Sequence, residues 1–352
     1  VTGGTISSND AQDGAGFFNA GILTLTGTTF SDNIATGKGG GLYNTGSMKL
    51  DGATFAKNSA ADGGALYNMS GTSMIENGAF TGNSAANGGA IYNAEGAVLE
   101  MNGGTLSENA ATTGNGGAIY TASANETKLN GVTVSGNSSM SGSGGAIYLA
   151  DNSSMTITGG EIYANNADKG NGGAIYNNGT LTLENVTVGK NGYANRAANG
   201  GAVWQEKGML AIKGGSFSYN TATASGGAIY VNGGSMNVDQ VTEFSNNAAA
   251  GNGGAVYVAK DTGNIQITDA VFTVNKGDNG GAIYNAGTVI MSGGTFTGNE
   301  AVNTTAGAGG AIYNAGTMTL DDVAVGVVGS SGNTAVNGGG IYNAGNGNLT
   351  VN

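Results

Sequence analysis

One aromatic side chain returns at a near-constant interval along this 352-residue chain: Phe18, Tyr43, Tyr67, Tyr92, Tyr120, Tyr148, Tyr176, Trp204, Tyr230, Tyr257, Tyr284, Tyr313 and Tyr342. Rings in a row can receive flat sugar faces or a partner's extended strand. They can equally stack on one another and do no more than shield a strand, each pair gaining about 0.5–1.5 kcal/mol. A second recurrent side chain is the amide of Asn33, Asn58, Asn83, Asn109, Asn137, Asn165, Asn191, Asn220, Asn247, Asn275 and Asn299, each three residues after a Phe or an aliphatic residue. Asparagine tolerates left-handed backbone and pairs its amide with a copy of itself, so this set is expected to be a structural ladder in a left-handed turn rather than a ligand site.

Other chemistry is poorly supplied. The chain has no His, Cys or Pro, which rules out Ser-His-Asp and Cys-His nucleophiles and any His or Cys metal site. Paired carboxylates are scattered. Asp321 and Asp322 are adjacent and so point to opposite faces of a strand, Glu100, Glu108 and Glu126 occupy different places in their repeats, and Lys260 with Asp261 is the nearest acid-base pairing. No calcium-roll motif GGxGxDxUx occurs, and no glycine pattern of the phosphate-binding kind opens a helix. Hence no catalytic, cofactor-binding or metal residue is assigned. With 11 basic against 23 acidic residues, a formal charge of −12 and no basic stripe, nucleic acid is not an expected partner.

What positions the two rows is a repeat. The 70 glycines would suggest a low-complexity chain if they were aperiodic, but a motif of one or two Gly, a small residue, an aliphatic residue (Phe17 in the first copy) and an aromatic occurs thirteen times, its first Gly at Gly14, Gly39, Gly63 and on to Gly338. The spacing is 24–29 residues, 27 on average. Each repeat also carries a short alternating run, such as Leu23–Thr24–Leu25 or Leu181–Thr182–Leu183, and the phrase Phe-x-x-Asn, with Ile6, Leu106, Val134, Ile162 and Val188 filling the Phe slot in five of them; only the twelfth repeat breaks that phrase, with Val325 in the slot and its Asn delayed to Asn333. Three short apolar segments per 27 residues, separated by Gly, Asn, Ser and Thr, are strands. The expected fold is all-β: a right-handed parallel β-helix of about 13 coils with three short strands per coil, one solenoid over residues 1–352.

In such a stack every sequence column becomes a row. The aliphatic column, Phe17 through Ile341, is never polar and belongs inside. Alternation then puts the aromatic column outside together with the preceding Ala, beside a shallow glycine-lined track. The inverted register, Tyr and Ala in, stays open, because a column kept strictly small also suits a cramped interior. The glycines serve corners that need positive φ or close approach of coils.

The tandem pairing of GGA[ILV] with FxxN, from Ile6 to Asn343, resembles the chlamydial polymorphic outer membrane protein repeat. That resemblance implies an exported, non-catalytic bacterial surface β-helix of adhesin type. The chain departs from the pattern in adding an aromatic and often an Asn after GGAI, and it contains no autotransporter barrel. Neither a signal peptide nor a run of eighteen apolar residues is present, and both ends fall within a coil, so the expectation is a piece of a longer repeat protein. The function expected is a cell-surface or secreted stalk or adhesin, extracellular, whose partner is a host-cell or surface glycan or protein receptor, or another copy of itself. The alternative is a carbohydrate-active β-helix, polysaccharide lyase or glycosidase in type, and behind it an ice-binding face. Variable loops between the Asn and the next Gly pair, nine residues at 191–200 and ten at 299–309, are where specificity is expected.

Overall fold

The computed structural model describes residues 2–352, all strand, turn and loop, with no helix among them. Its parallel strands stack as a β-solenoid of about 13 turns, and the chain divides into two compact units. The first runs through Gly170 and includes Ala174–Leu181; the second holds Asn171–Gly173 and Thr182–Asn352.

In the first unit the motif strands Phe17–Asn19, Leu42–Asn44, Leu66–Asn68, Ile91–Asn93, Ile119–Thr121, Ile147–Leu149 and Ile175–Asn177 pair in parallel, each residue opposite its own counterpart. After a short turn the alternating run forms a second strand, for example Ile22–Thr26 on Ser47–Asp51. The chain then bends, and Thr29–Ser31, Thr54–Ala56 and Ala79–Thr81 carry the Phe slot along the same sheet. A further strand of two residues, as at Ser84–Ala85 on Ala110–Ala111, closes the coil; it is too short to leave an alternating signature in sequence. The second unit repeats the plan from Val203–Gln205 to Ile341–Asn343, except that Met209–Ser218 and Ser235–Ser245 pass through the bend as single long strands with a register shift between Lys213 and Gly215.

Burial follows the pleat. The aliphatic column is inside, with Leu42, Ile91, Ile119, Ile229 and Ile283 fully buried, and so are both apolar positions of the alternating run, as in Leu23 and Leu25 or Met318 and Leu320. The Phe slot fills the middle. Phe30, Phe55 and Phe80 stack at 4.6 and 4.8 Å in the first unit, and Phe217, Phe244, Phe272 and Phe296 at 5.2, 4.9 and 4.7 Å in the second. The small column is not on the outside beside the aromatics. Ala65, Ala90, Ala228 and Ala282 are wholly buried, and a Cβ built on Gly41, in that slot, would lie 2.8 Å from Phe55 Cδ1. Alternation fails there because the strand begins only at the aliphatic residue, so the Ala belongs to the corner and packs on the Phe stack.

The two motif glycines have separate duties. The first, in all thirteen copies, has φ between +57° and +68°, a left-handed corner that glycine occupies without cost. The second has ordinary φ but abuts the next coil: a Cβ on Gly254 would overlap the carbonyl oxygen of Gly281, which is backbone and cannot move aside. Gly254→Ala is therefore expected to destabilise the second unit by about 3 kcal/mol or more, whereas Gly21→Ala, where a Cβ meets open space, should stay within about 0.5 kcal/mol. Thermal melts of the two variants beside the parent decide it; equal melts would show that coils are not held at this contact.

Candidate functional site

The aromatic column lies on the outer side of the motif strands, opposite the buried aliphatic column. In the first unit Phe18, Tyr43, Tyr67, Tyr92, Tyr120, Tyr148 and Tyr176 form one stack with centroids 4.7–5.3 Å apart and planes within 14°. In the second, Trp204, Tyr230, Tyr257, Tyr284, Tyr313 and Tyr342 stack at 4.4–5.2 Å within 21°. Most of these rings are half-buried; Tyr67 and Trp204 are only 5% and 8% exposed, and Phe18 is 53% exposed. Each ring covers the faces of its neighbours. A sugar needing a bare aromatic face finds none inside the row, and what the row offers outward is ring edges and phenol hydroxyls.

Burial raises the pKa of the Tyr43, Tyr92, Tyr120 and Tyr284 phenols above the usual value of 10.0, and pushes Tyr230 up to about 12, with the neighbouring Tyr257 adding to it. These five phenols are accordingly held neutral at physiological pH.

Along one flank runs a polar row contributed by the residue before each first glycine. Lys38 N–H donates to Asp13 Oδ1, Asn87 to Asp62, Asn115 N–H to Asn87 Oδ1, and in the second unit Asn279 to Asn252. Lys38 also holds its ammonium 4.6 Å from the Tyr67 ring centre. A recess lies elsewhere, a groove of about 600 Å³ between the six-residue connection 259–264 and the two-residue turns Ala286–Gly287 and Ala315–Gly316. Lys260, Asp261, Thr288, Thr317 and Asn346 line it, over a floor with almost no side chains.

The asparagine column is buried and continuous within each unit. The side-chain amide of Asn33 donates to Asn58 Oδ1, Asn58 to Asn83, Asn83 to Asn109, Asn109 to Asn137 and Asn137 to Asn165, all at 2.9–3.0 Å. Each amide gives its second hydrogen to a Phe-slot carbonyl of the coil before, as Asn58 does to Phe30 O at 3.0 Å, and each Oδ1 also accepts the preceding Asn backbone N–H. In the second unit the run is Asn195, Asn220, Asn247, Asn275, Asn299 and Asn333.

Two expectations are corrected here. Asn191 is exposed and is not a rung; Asn195 takes its place, because 189–194 is an insertion that leaves the coil as a tight turn, Lys190 bridging antiparallel to Tyr193. A local signal distinguishes the two: the residue two places after each rung is small, as in Ala85, Ala222 and Ala301, and it is Ala197 after Asn195 but Tyr193 after Asn191. The left-handed residue, moreover, is the one before the rung and not the rung itself: Asp32, Lys57, Glu108, Ala164, Tyr219 and Val274 have φ of 55–59°. That residue turns the chain and swings the amide inward.

A second buried amide row went unassigned in the sequence. The residue after each aromatic faces in again, so Asn19, Asn44, Asn68 and Asn93 join at 2.7–2.9 Å, and Asn285, Asn314 and Asn343 do likewise. Between these ends the column turns apolar at Leu149, Val231 and Val258.

The carboxylates do not converge on a recess. The Asn102 amide donates to both Glu76 and Glu100, at 3.0 and 3.2 Å, and Glu126 accepts from Thr156 and pairs with Lys128, partners that hold its carboxyl below the usual range. Glu108 and Asp322 sit at left-handed corners. Among the described residues no three of His, Cys, Asp and Glu gather as a metal site would require, and no helix is long and apolar enough to cross a membrane.

Comparison with known proteins is consistent with the repeat pattern. Residues 27–45, 131–150, 214–232 and 241–259 match the model of the Chlamydia polymorphic membrane protein (Chlamydia_PMP) repeat, so the chain carries this repeat at four places. Each match begins ahead of an Asn rung and runs through the glycine corner to the aromatic slot. No curated protein and no solved structure matches the chain.

Asn220→Ala removes the acceptor of Asn195 and the donor to Val188 O and Asn247, all buried, and should lower stability by about 3 kcal/mol; Asn191→Ala should leave the melt unchanged. Equal effects in chemical denaturation would put the ladder elsewhere. The phenols supply a second test. Because their pKa values are higher folded than unfolded, the fold favours their neutral form: that stability is complete below pH 10.0 and is lost as pH rises toward about 12. In a chain whose off-row tyrosines, Tyr163, Tyr193 and Tyr219, are changed to Phe, tyrosinate absorbance and circular dichroism followed together through this window should change in parallel, and tyrosinate appearing before any loss of structure would show an unprotected row.

Proposed function

We propose that this chain is a segment of a non-catalytic bacterial surface or secreted β-helical stalk, adhesive through its outer rows, with a host-cell or surface glycan or protein as partner. The observation that carries the reading is the use made of the repeated residues. Gly, Ala, Ile, Phe and Asn of each repeat are spent on corner, core and ladder, which leaves the aromatic row, the outward residues of the alternating runs such as Thr24 and Lys49, and the loops to reach solvent. A catalytic site is a singular constellation, whereas these features recur coil after coil. The polymorphic membrane protein repeat supports the surface assignment and the adhesin character. With its faces covered, the row engages a partner through phenol hydroxyls and ring edges, which favours hydrogen bonding to an extended polymer lying along the stack over sugar stacking on the rings.

That mode makes a conservative variant decisive. Tyr230, Tyr257 and Tyr284 changed together to Phe keep the stack and delete the hydroxyls; attachment to cells or glycan arrays should fall while the melt holds. The same three changed to Ser should lose the stacking as well, about 0.5–1.5 kcal/mol for each pair. Full attachment by the Phe variant would dismiss the hydroxyl row and move the search to the groove at Lys260–Thr262 and the loops. Depolymerisation of a polysaccharide by the purified chain would replace the adhesive reading with the carbohydrate-active one.

A further inference from the structure

The chain contains fourteen Asn-Gly pairs, a sequence in which the missing Cβ lets the glycine nitrogen reach the asparagine side chain. In eleven of them the solenoid withholds that nitrogen, because the glycine N–H is hydrogen-bonded. Gly88 donates to Asn115 O, Gly116 to Ser143 O and Gly253 to Asn279 O, each to the neighbouring coil, while Gly179 donates to Asn177 Oδ1 and Gly347 to Ala344 O. Three remain. At Asn77–Gly78 the peptide is wedged against Gly104, so closely that a Cβ there would overlap the Gly78 carbonyl. At Asn337–Gly338 the connecting peptide is pinned through Asn337 O, which accepts from Gly309 N–H at 3.0 Å. Asn191–Gly192 is different: Asn191 is exposed, Gly192 has φ +78° with open space around it, and the pair sits at the tip of a turn bridged below it, Tyr193 N–H donating to Lys190 O at 2.9 Å.

We infer that Asn191 is a site of spontaneous, structure-selected deamidation. The Gly192 backbone nitrogen loses its proton and attacks Asn191 Cγ, and the side-chain nitrogen departs as ammonia. Water then opens the cyclic imide at either carbonyl, giving aspartate or isoaspartate. The product places a carboxylate between Lys190 and the exposed Tyr193, and isoaspartate inserts an extra main-chain atom into the turn. Neither change reaches the ladder, which resumes at Asn195. The modification therefore alters the charge and shape of a projecting turn while the coil beneath it stays intact.

The test is incubation of the full chain at mildly alkaline pH, with peptide mapping that separates aspartate, isoaspartate and asparagine, beside the same chain unfolded in denaturant. Folded, conversion at Asn191 should run about tenfold or more ahead of every other Asn-Gly pair and should speed up with pH; unfolded, the fourteen should converge. Gly192→Ala should slow it, and Asn191→Gln, which keeps the φ +78° glycine, should slow it with an unchanged melt. Folded-state conversion led by Asn77 or Asn337, or the same ranking in folded and unfolded chains, would overturn the assignment.

Discussion

Everything in this fold follows from one contact, that of a residue with its own counterpart one coil away. Parallel strands in register place like opposite like, so a column survives only if its side chain is complementary to itself. Asparagine meets the condition because one amide carries both donor and acceptor; Asn58 takes a bond from Asn33 and gives one to Asn83. Phe and Tyr meet it by stacking. A charge does not, since like charges directly opposite repel. This accounts for a chain in which charged residues are 10% of the total. Several carboxylates face other chemistry instead, Glu76 opposite Asn102 and Glu300 opposite Lys276, with Lys213 bound to Glu184, although Asp51 does lie opposite Glu76.

The same rule explains how much could be read from sequence. A self-complementary column is a repeated letter, so period, inner aliphatic row and parallel coil were all legible. What escaped lay at the corners, where neither alternation nor fixed spacing holds. The Ala before each aliphatic residue is inside although alternation puts it out, since it precedes the strand. The left-handed residue before a rung is glycine at Gly82, Gly136 and Gly298 but Asp, Lys, Glu, Ala, Tyr, Asn or Val at others, a set with no common side-chain chemistry, because only its backbone matters. Asn191 and Asn195 both fit an asparagine column, and only the small residue two places on tells them apart.

The candidate site was legible as a row but not as a surface. Stacking and binding compete for the same atoms: rings held face to face at 4.4–5.3 Å have already bound their best partner, the next ring. The row is thus partly a structural element, half-buried and available along its hydroxyl edge alone. This narrows what an adhesive use of it can mean, to contacts made in a line and repeated once per coil.

Individuality has to come from places where the self-contact rule is relaxed, and these are corners that project from the coil. The connection after the motif strand runs from two residues at Ala286–Gly287 to six at 259–264, and that difference carves the groove beside Lys260 and Asp261. The segment leading to the Asn rung is extended only at 189–194 and ahead of Asn333. Elsewhere a single left-handed residue must deliver the amide to the ladder, which fixes its length. A stalk built this way can change its partner by lengthening one loop without disturbing any row, whereas a change in a row propagates to the coils on either side.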